Sequence, residues 1–208
     1  MATKQSVKNQ KTPRSLAKIL PYILVVGGII GLTSSFILTY DQIKIWENPS
    51  YQPTCSLNPI LNCGSVIDSG QGKVFGIPGP FFGLITFSVL ITIGVVLLAG
   101  AKLKRWFWLG LQAGAIGGFG FGLWLFLLSV FRINALCPFC LTVDAVVAIM
   151  LWYITLYNFE QKILTMPRKL QKVPAFMRRH HLDILIFWFL LVVAFILKHF
   201  WYYYGKQL

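Results

Sequence analysis

Residues Asn134–Asp144 read NALCPFCLTVD and place two thiols and a carboxylate at the start of a long apolar segment. Cys137 and Cys140 are separated by two residues, and Asp144 follows four positions after the second cysteine. Residues 135–159 are long and apolar enough to cross a bilayer as a helix. The stretch therefore lies at the N-terminal end of a predicted membrane helix, which raises the question of what chemistry that position serves.

The composition of the whole chain indicates a membrane protein. Of its 208 residues, 56% are hydrophobic and only 12% are charged, whereas soluble domains carry about 25% charged residues. A run of roughly 20 apolar residues suffices to span a bilayer. Such runs occur at 19–40, 80–101, 106–131, 135–159 and 183–204. We predict an all-α polytopic membrane protein, built as a four-helix bundle with a fifth transmembrane helix.

The predicted spans divide the chain into four parts. A basic tail at 1–18 precedes a four-helix domain at 19–159, which carries a long outer loop at 41–79. A basic linker at 160–182 leads to the fifth helix and a short tail at 183–208. The first apolar run is longer than the core of a signal peptide and is not followed by a clear cleavage site, so we interpret it as a helix.

The Lys and Arg residues follow the positive-inside rule, by which short loops rich in these residues stay in the cytoplasm. With the N-terminus inside, fourteen of the nineteen fall in inner segments. The net charge of +13 therefore indicates topology and contact with anionic lipid, not nucleic-acid binding. The inner residues are Lys4, Lys8, Lys11, Arg14, Lys18, Lys102, Lys104, Arg105, Lys162, Arg168, Lys169, Lys172, Arg178 and Arg179.

All four cysteines fall on the outer side of this topology. Cys137 and Cys140 lie at the outer end of the fourth helix, and Cys55 and Cys63 lie in the outer loop. A loop of that length is commonly functional, and the compartment outside the membrane permits disulfides. We also expect a short helix over Leu57–Ile67, lying across the mouth of the bundle.

Three interpretations of the cysteines are open. They form two structural disulfides, a four-thiolate metal site, or a redox centre. The spacing C-x7-C followed by C-x2-C, with no histidine nearby, does not suit zinc, so we expect no metal. A C-x-x-C pair at a helix N-terminus has a lowered thiol pKa, and Pro138 suits the first helical turn, where its missing N–H is not needed. Redox chemistry therefore fits this placement best.

Asp144 is the second indication of chemistry. It lies one helical turn after Cys140, so the two side chains share a face. A carboxylate in a membrane helix is costly and usually functional, although an Asp near the surface can also reach the interface or cap a neighbouring helix. Quinones dissolve in the bilayer and accept two electrons and two protons, which is what a dithiol delivers. We expect Asp144 to transfer a proton beside a thiol and a quinone.

The motifs together resemble the vitamin K epoxide reductase family in its bacterial form. The segment at 55–83, CSLNPILNCGSVIDSGQGKVFGIPGPFFG, and the later CPFC at 137–140 carry this resemblance, which covers roughly residues 19–159. A C-x-x-C pair alone would be a weak signal, but the combination and order of the motifs are specific. The matching features are the pair Cys55-x7-Cys63, Ser69, Phe75-Gly76 and the pair Cys137-x2-Cys140.

The resemblance implies a membrane thiol–quinone oxidoreductase that supports disulfide formation in proteins exported across a bacterial inner membrane. Four helices would surround a quinone pocket near the outer face. Cys55 and Cys63 would take electrons from a thioredoxin-like protein, and Cys63 would exchange with Cys137. Cys140 would then act on ubiquinone, menaquinone or a similar quinone.

Two departures from the family pattern limit what the resemblance implies. Vertebrate members hold the ring with an asparagine before the second helix and a tyrosine four after the last cysteine, where this chain has Gly79 and Asp144. The quinone contacts therefore differ, and vitamin K epoxide is not the expected substrate. Bacterial relatives often fuse a thioredoxin-like domain after a fifth helix. Here we expect a separate donor, unless the sequence is part of a longer chain.

Other classes of protein remain as rivals, namely a small-molecule transporter with two structural disulfides and a nonenzymatic assembly subunit. A transporter would carry polar groups at mid-membrane in several helices, and Asp144 alone qualifies. Small residues four apart let membrane helices approach closely. We expect this packing role, rather than a channel lining, for Gly27 and Gly31 and for Gly110, Gly114, Gly118 and Gly122.

Overall fold

The computed structural model describes residues 15–56, 58, 60–68, 73–74, 76–164, 176–177 and 179–201. Five of its helices are long and apolar enough to cross a membrane. This confirms the predicted all-α polytopic fold. The five are α1 at Ser15–Glu47, α3 at Gly79–Leu98, α4 at Arg105–Leu128, α5 at Pro138–Glu160 and α6 at His181–His199.

The first helix is longer than the sequence predicted, since α1 continues to Glu47 instead of ending near residue 40. Residues 41–47 are therefore helical and do not belong to the outer loop. An ion pair between Lys44 and Glu47, one turn apart at 2.8 Å, lies in this last part of the helix. Asn48 then precedes Pro49, and the position before a proline disfavours the helical conformation.

The helix α1 packs against both α3 and α5, and α4 packs against α5. Close approach to α3 depends on glycine, because a Cβ at Gly31 would collide with the ring of Phe87. Gly27 faces the side chain of Met150 on α5 in the same way. The glycines of α1 therefore serve helix packing, as predicted.

Between α1 and α3 the described residues form three short elements. The helix α2 spans Cys63–Asp68, and the strand β1 at Lys73–Val74 pairs antiparallel with β2 at Ile77–Pro78. Gly76 makes the turn between the strands with a φ of 82°, a conformation that glycine adopts without strain. The predicted short helix over Leu57–Ile67 is wrong at 58 and 60–62, since helix begins at Cys63, and positions 57 and 59 lie outside the described residues.

A backbone bridge between the outer loop and the segment before α5 explains why the helix begins only at Cys63. Leu61 and Leu136 form a parallel bridge, in which the N–H of Leu136 donates to the carbonyl of Ile60 at 2.6 Å. The N–H of Asn62 donates to the carbonyl of Leu136 at 3.0 Å. Residues 60–62 are not helical because their backbone groups are used across this bridge. Cys63 and Cys137 each follow it directly, so the bridge brings them side by side.

The C-terminal ends of α4 and α6 support the same segment. A π-helical turn at Ser129–Ile133 continues α4 and ends at Asn134, whose φ of 54° is left-handed, a conformation that asparagine tolerates. Phe200, which directly follows α6, is fully buried in a cluster with Val130 and Leu136. The chain just before Cys137 is therefore held from two sides.

Candidate active site

The four cysteines lie together at one end of the bundle. Cys55 and Cys63 form a disulfide, and Cys137 and Cys140 are free thiols. The sulfur of Cys137 lies 3.2 Å from that of Cys63, and Cys63 is completely buried. A disulfide and a C-x-x-C pair are thus in direct contact, although 74 residues separate the two sulfurs that touch.

Cys137 is the N-cap residue of α5. Its backbone is extended, and its sulfur accepts a hydrogen bond from the N–H of Cys140 at 3.4 Å. The predicted place of Pro138, in the first turn, is confirmed. Hydrogen bonds from the Cys140 side chain and from backbone N–H groups lower the pKa of Cys137, and burial opposes this without reversing it.

A mostly apolar cavity of about 230 Å³ lies directly against the C-x-x-C pair. Side chains from α1 to α5 line it, and Val66 and Ile67 of α2 lie along its wall. Small-molecule sites are typically apolar cavities with a few convergent polar groups. The polar side chains here are those of Ser35, Gln42, Thr86, Ser129 and Asp144, together with the thiols of Cys137 and Cys140.

Asp144 lines this cavity together with Cys140, which precedes it by one helical turn, as their shared helix face predicts. Its carboxylate rests against Gly122 of α4, where any Cβ would collide with it. Gly118, one turn earlier, faces Val147 and also borders the cavity. The packing role expected of these two glycines is therefore confirmed, and both also border the cavity.

The remaining glycines of that series and the other predicted site residues have different surroundings. Gly110 and Gly114 have open space where a Cβ would lie, so the packing role predicted for them is wrong among the residues that the structure describes. Gly79 begins α3 and lines the cavity. Ser69 and Phe75 lie outside the described residues. Among the residues that the structure describes, no three His, Cys, Asp or Glu side chains come together as metal ligands.

The polar face of α1 is the part of the site that sequence reasoning missed. Ser35 and Gln42 line the cavity, and Asp41 is buried beside the disulfide. Ser35, Leu38 and Gln42 recur at i, i+3 and i+7, which places them on one helix face. The two polar residues Ser35 and Gln42, two turns apart near the C-terminal end of an apolar span, were the available signal, but the predicted helix stopped at residue 40.

A membrane bundle in which a disulfide touches a C-x-x-C pair beside an apolar cavity has the components of a membrane-embedded thiol oxidoreductase. The profile described as the vitamin K epoxide reductase family matches residues 22–155. The chain belongs to this family, which confirms the resemblance seen in its motifs and makes it a membrane thiol oxidoreductase. No individual curated protein matches the chain. The matched region runs from α1 into α5, so α6 lies beyond it.

Proposed function

We propose that this protein is a membrane thiol–quinone oxidoreductase that reoxidises a thioredoxin-like protein and so supports disulfide formation in exported proteins. The observation that carries the proposal is the 3.2 Å contact between the sulfurs of Cys63 and Cys137. It joins a disulfide, which can accept electrons, to a thiol pair that borders an apolar cavity among the membrane helices.

The electron path follows from ordinary thiol–disulfide exchange, in which a thiolate attacks a disulfide sulfur and a mixed disulfide forms. A dithiol protein reduces the Cys55–Cys63 disulfide and is itself oxidised. The Cys63 thiolate then attacks Cys137 of an oxidised C-x-x-C pair, and Cys140 leaves as a thiolate. Attack of Cys55 on Cys63 releases Cys137 and re-forms the outer disulfide. Two electrons have moved from the outer pair to the C-x-x-C pair.

The cavity residues suit a quinone ring, because the wall is apolar and its few polar groups converge near the thiols. A quinone bound there supplies an acceptor for two electrons and two protons. Cys140 and Asp144 belong to the same helix face and both border the cavity. We assign to Asp144 the transfer of a proton between Cys140 and the cavity.

We also propose that the N-terminus lies in the cytoplasm and that the cysteines face the outer side of a bacterial inner membrane. The support is the positive-inside rule. Lys102, Lys104 and Arg105 cluster at the turn between α3 and α4, at the end of the bundle away from the cysteines. The expected partners are therefore a separate thioredoxin-like protein outside, membrane quinone and lipid.

The first experiment measures quinone reduction by the purified protein in detergent, with dithiothreitol as donor and ubiquinone or menaquinone as acceptor. We expect the wild type to turn over and Cys140→Ala to be inactive. Thr142→Ala is the matched control, since Thr142 lies in the same part of α5 but does not line the cavity. If the folded wild type reduces neither quinone, the thiols are structural and a transporter becomes the better hypothesis.

A further inference from the structure

Besides Asp144, which borders the cavity next to the C-x-x-C pair, a buried carboxylate lies beside the outer disulfide. Asp41, near the outer end of α1, is only 2% exposed. Its Oδ2 lies 3.9 Å from the sulfur of Cys55, and its Oδ1 accepts a hydrogen bond from the hydroxyl of Tyr51 at 3.1 Å. A disulfide sulfur carries no proton, so the sulfur contact becomes a hydrogen bond only when Cys55 is reduced to a thiol.

The charges around Asp41 do not explain its burial. Within the described residues no Lys or Arg forms an ion pair with it, and Lys44, one turn further along α1, pairs with Glu47 instead. Burying a carboxylate without a cation costs free energy, and such groups concentrate at functional sites. The titratable groups that face Asp41 are Tyr51 and Cys55 from the loop, and Cys137 at the start of α5.

Chemistry at Cys55 requires a proton carrier. In the relay proposed above, the Cys55 thiol must lose its proton before its sulfur can attack, because only the thiolate is nucleophilic. It must regain that proton when the disulfide is next reduced. A base within hydrogen-bonding reach of the reacting group supplies such a transfer. No group that the relay already uses performs this task for Cys55.

We propose that Asp41 takes up and returns the proton of Cys55, an inference that rests on the proposed function. When Cys63 is joined to Cys137 in a mixed disulfide, the Cys55 thiol gives its proton to the Asp41 carboxylate and its sulfur attacks Cys63. The Cys55–Cys63 bond forms, the Cys63–Cys137 bond breaks, and Cys137 leaves with the electron pair as a thiolate.

When the Cys55–Cys63 disulfide is next reduced, Asp41 returns the proton to Cys55. The thiolate of the dithiol partner attacks Cys55, and Cys63 leaves as a thiolate. The second thiol of the partner then releases its proton to solvent, and its sulfur displaces Cys55. The protonated Asp41 gives its proton to the Cys55 thiolate as it leaves. The partner is oxidised to a disulfide, and Cys55 and Cys63 are reduced. Tyr51 is the positioning residue, because its hydroxyl holds the Asp41 carboxylate in place.

The test uses the full-length protein in detergent with reduced thioredoxin as donor and ubiquinone as acceptor, over a range of pH. We expect Asp41→Asn to lower turnover about 100-fold near neutral pH, the size of a typical general-base contribution. The deficit should shrink as the pH approaches about 8.5, where a thiol ionises without a base. Thr39→Val is the matched control, because Thr39 is buried in the same part of α1 and bonds only to its own helix.

A double-mutant comparison separates chemistry from structure. With dithiothreitol as donor, Asp41→Asn should have no further effect in a Cys55→Ala background, because the thiol that the carboxylate serves is gone. A deficit that is constant with pH, or equal to that of Thr39→Val, would overturn the inference while the proposed function stands. A folded wild type that reduces quinone with neither donor would overturn both.

Discussion

The two cysteine pairs reach the same site by different means. Cys137 and Cys140 are placed by local sequence, since a proline after the first cysteine and an apolar run after the second start a helix at that point. Cys55 and Cys63 are placed by a long-range backbone bridge between Leu61 and Leu136. The comparison teaches that a redox centre can be half visible in a motif, while its other half depends on tertiary pairing.

The largest expected effect comes from isolating the two sulfurs that join the pairs. In a Cys55→Ala/Cys140→Ala variant, only Cys63 and Cys137 remain, and their 3.2 Å separation predicts near-complete formation of an intramolecular disulfide on mild oxidation. Peptide mass spectrometry of the non-reduced protein measures it. The same variant oxidised after denaturation is the control. If the folded protein fails to cross-link, the contact between the pairs does not exist in solution.

The next largest effect should depend on which electron donor is used, because the two cysteine pairs accept electrons from different donors. We expect Cys55→Ala to abolish turnover with reduced thioredoxin, because the outer disulfide that receives its electrons is absent. Turnover with dithiothreitol should persist, since a small dithiol can reduce the C-x-x-C pair directly. Parallel assays with the two donors measure this difference. Equal loss with both donors would mean that Cys55 serves the fold rather than electron entry.

A smaller effect is expected from the carboxylate beside the C-x-x-C pair. Asp144→Asn keeps the shape of the side chain but removes its base, so we expect turnover with either donor to fall about 100-fold. Thermal unfolding of the variant should match the wild type. Stopped-flow reduction of quinone by the pre-reduced protein isolates the step. An unchanged rate would assign Asp144 to a structural role.

The smallest effect tests the contact that positions this carboxylate. A Cβ at position 122 collides with Asp144, so we expect Gly122→Ala to displace the side chain and lower turnover about 10-fold. Gly114→Ala is the matched control, because it makes the same chemical change on the same helix where a Cβ meets open space. Similar rates for both variants would mean that the contact with Gly122 does not matter.

The sequence predicted the parts of this molecule that depend on local composition. Five spans follow from runs of apolar residues. The positions of Cys137 and Cys140 at the start of a helix, and of Asp144 on the same helix face as Cys140, follow from the apolar run and helical periodicity. It could not predict the bridge at Leu61 and Leu136, because that pairing joins single residues far apart in the chain. The C-terminal end of α1 was also missed, since burial of Asp41 depends on the loop whose Tyr51 and Cys55 contact it.

The glycine repeat on α4 is another feature whose role could not be predicted from the sequence alone. Glycines four apart indicate a flat helix surface, but the sequence does not say whether a helix, a cavity or lipid covers it. Here one end of the series borders the cavity and Asp144, while Gly110 and Gly114 meet open space. A repeated motif therefore serves different purposes along one helix.

The helix α2 has a consequence for the kinetics of the proposed reaction. It begins at Cys63, which holds one sulfur of the outer disulfide, and its Val66 and Ile67 form part of the cavity wall. The electron donor and the quinone would therefore meet the protein at two parts of one site, since Cys63, Val66 and Ile67 share a face of this short helix. They need not be bound at the same moment, because the cysteines store the electrons in between. Such an enzyme works by a ping-pong scheme, in which each half-reaction runs to completion without the other substrate.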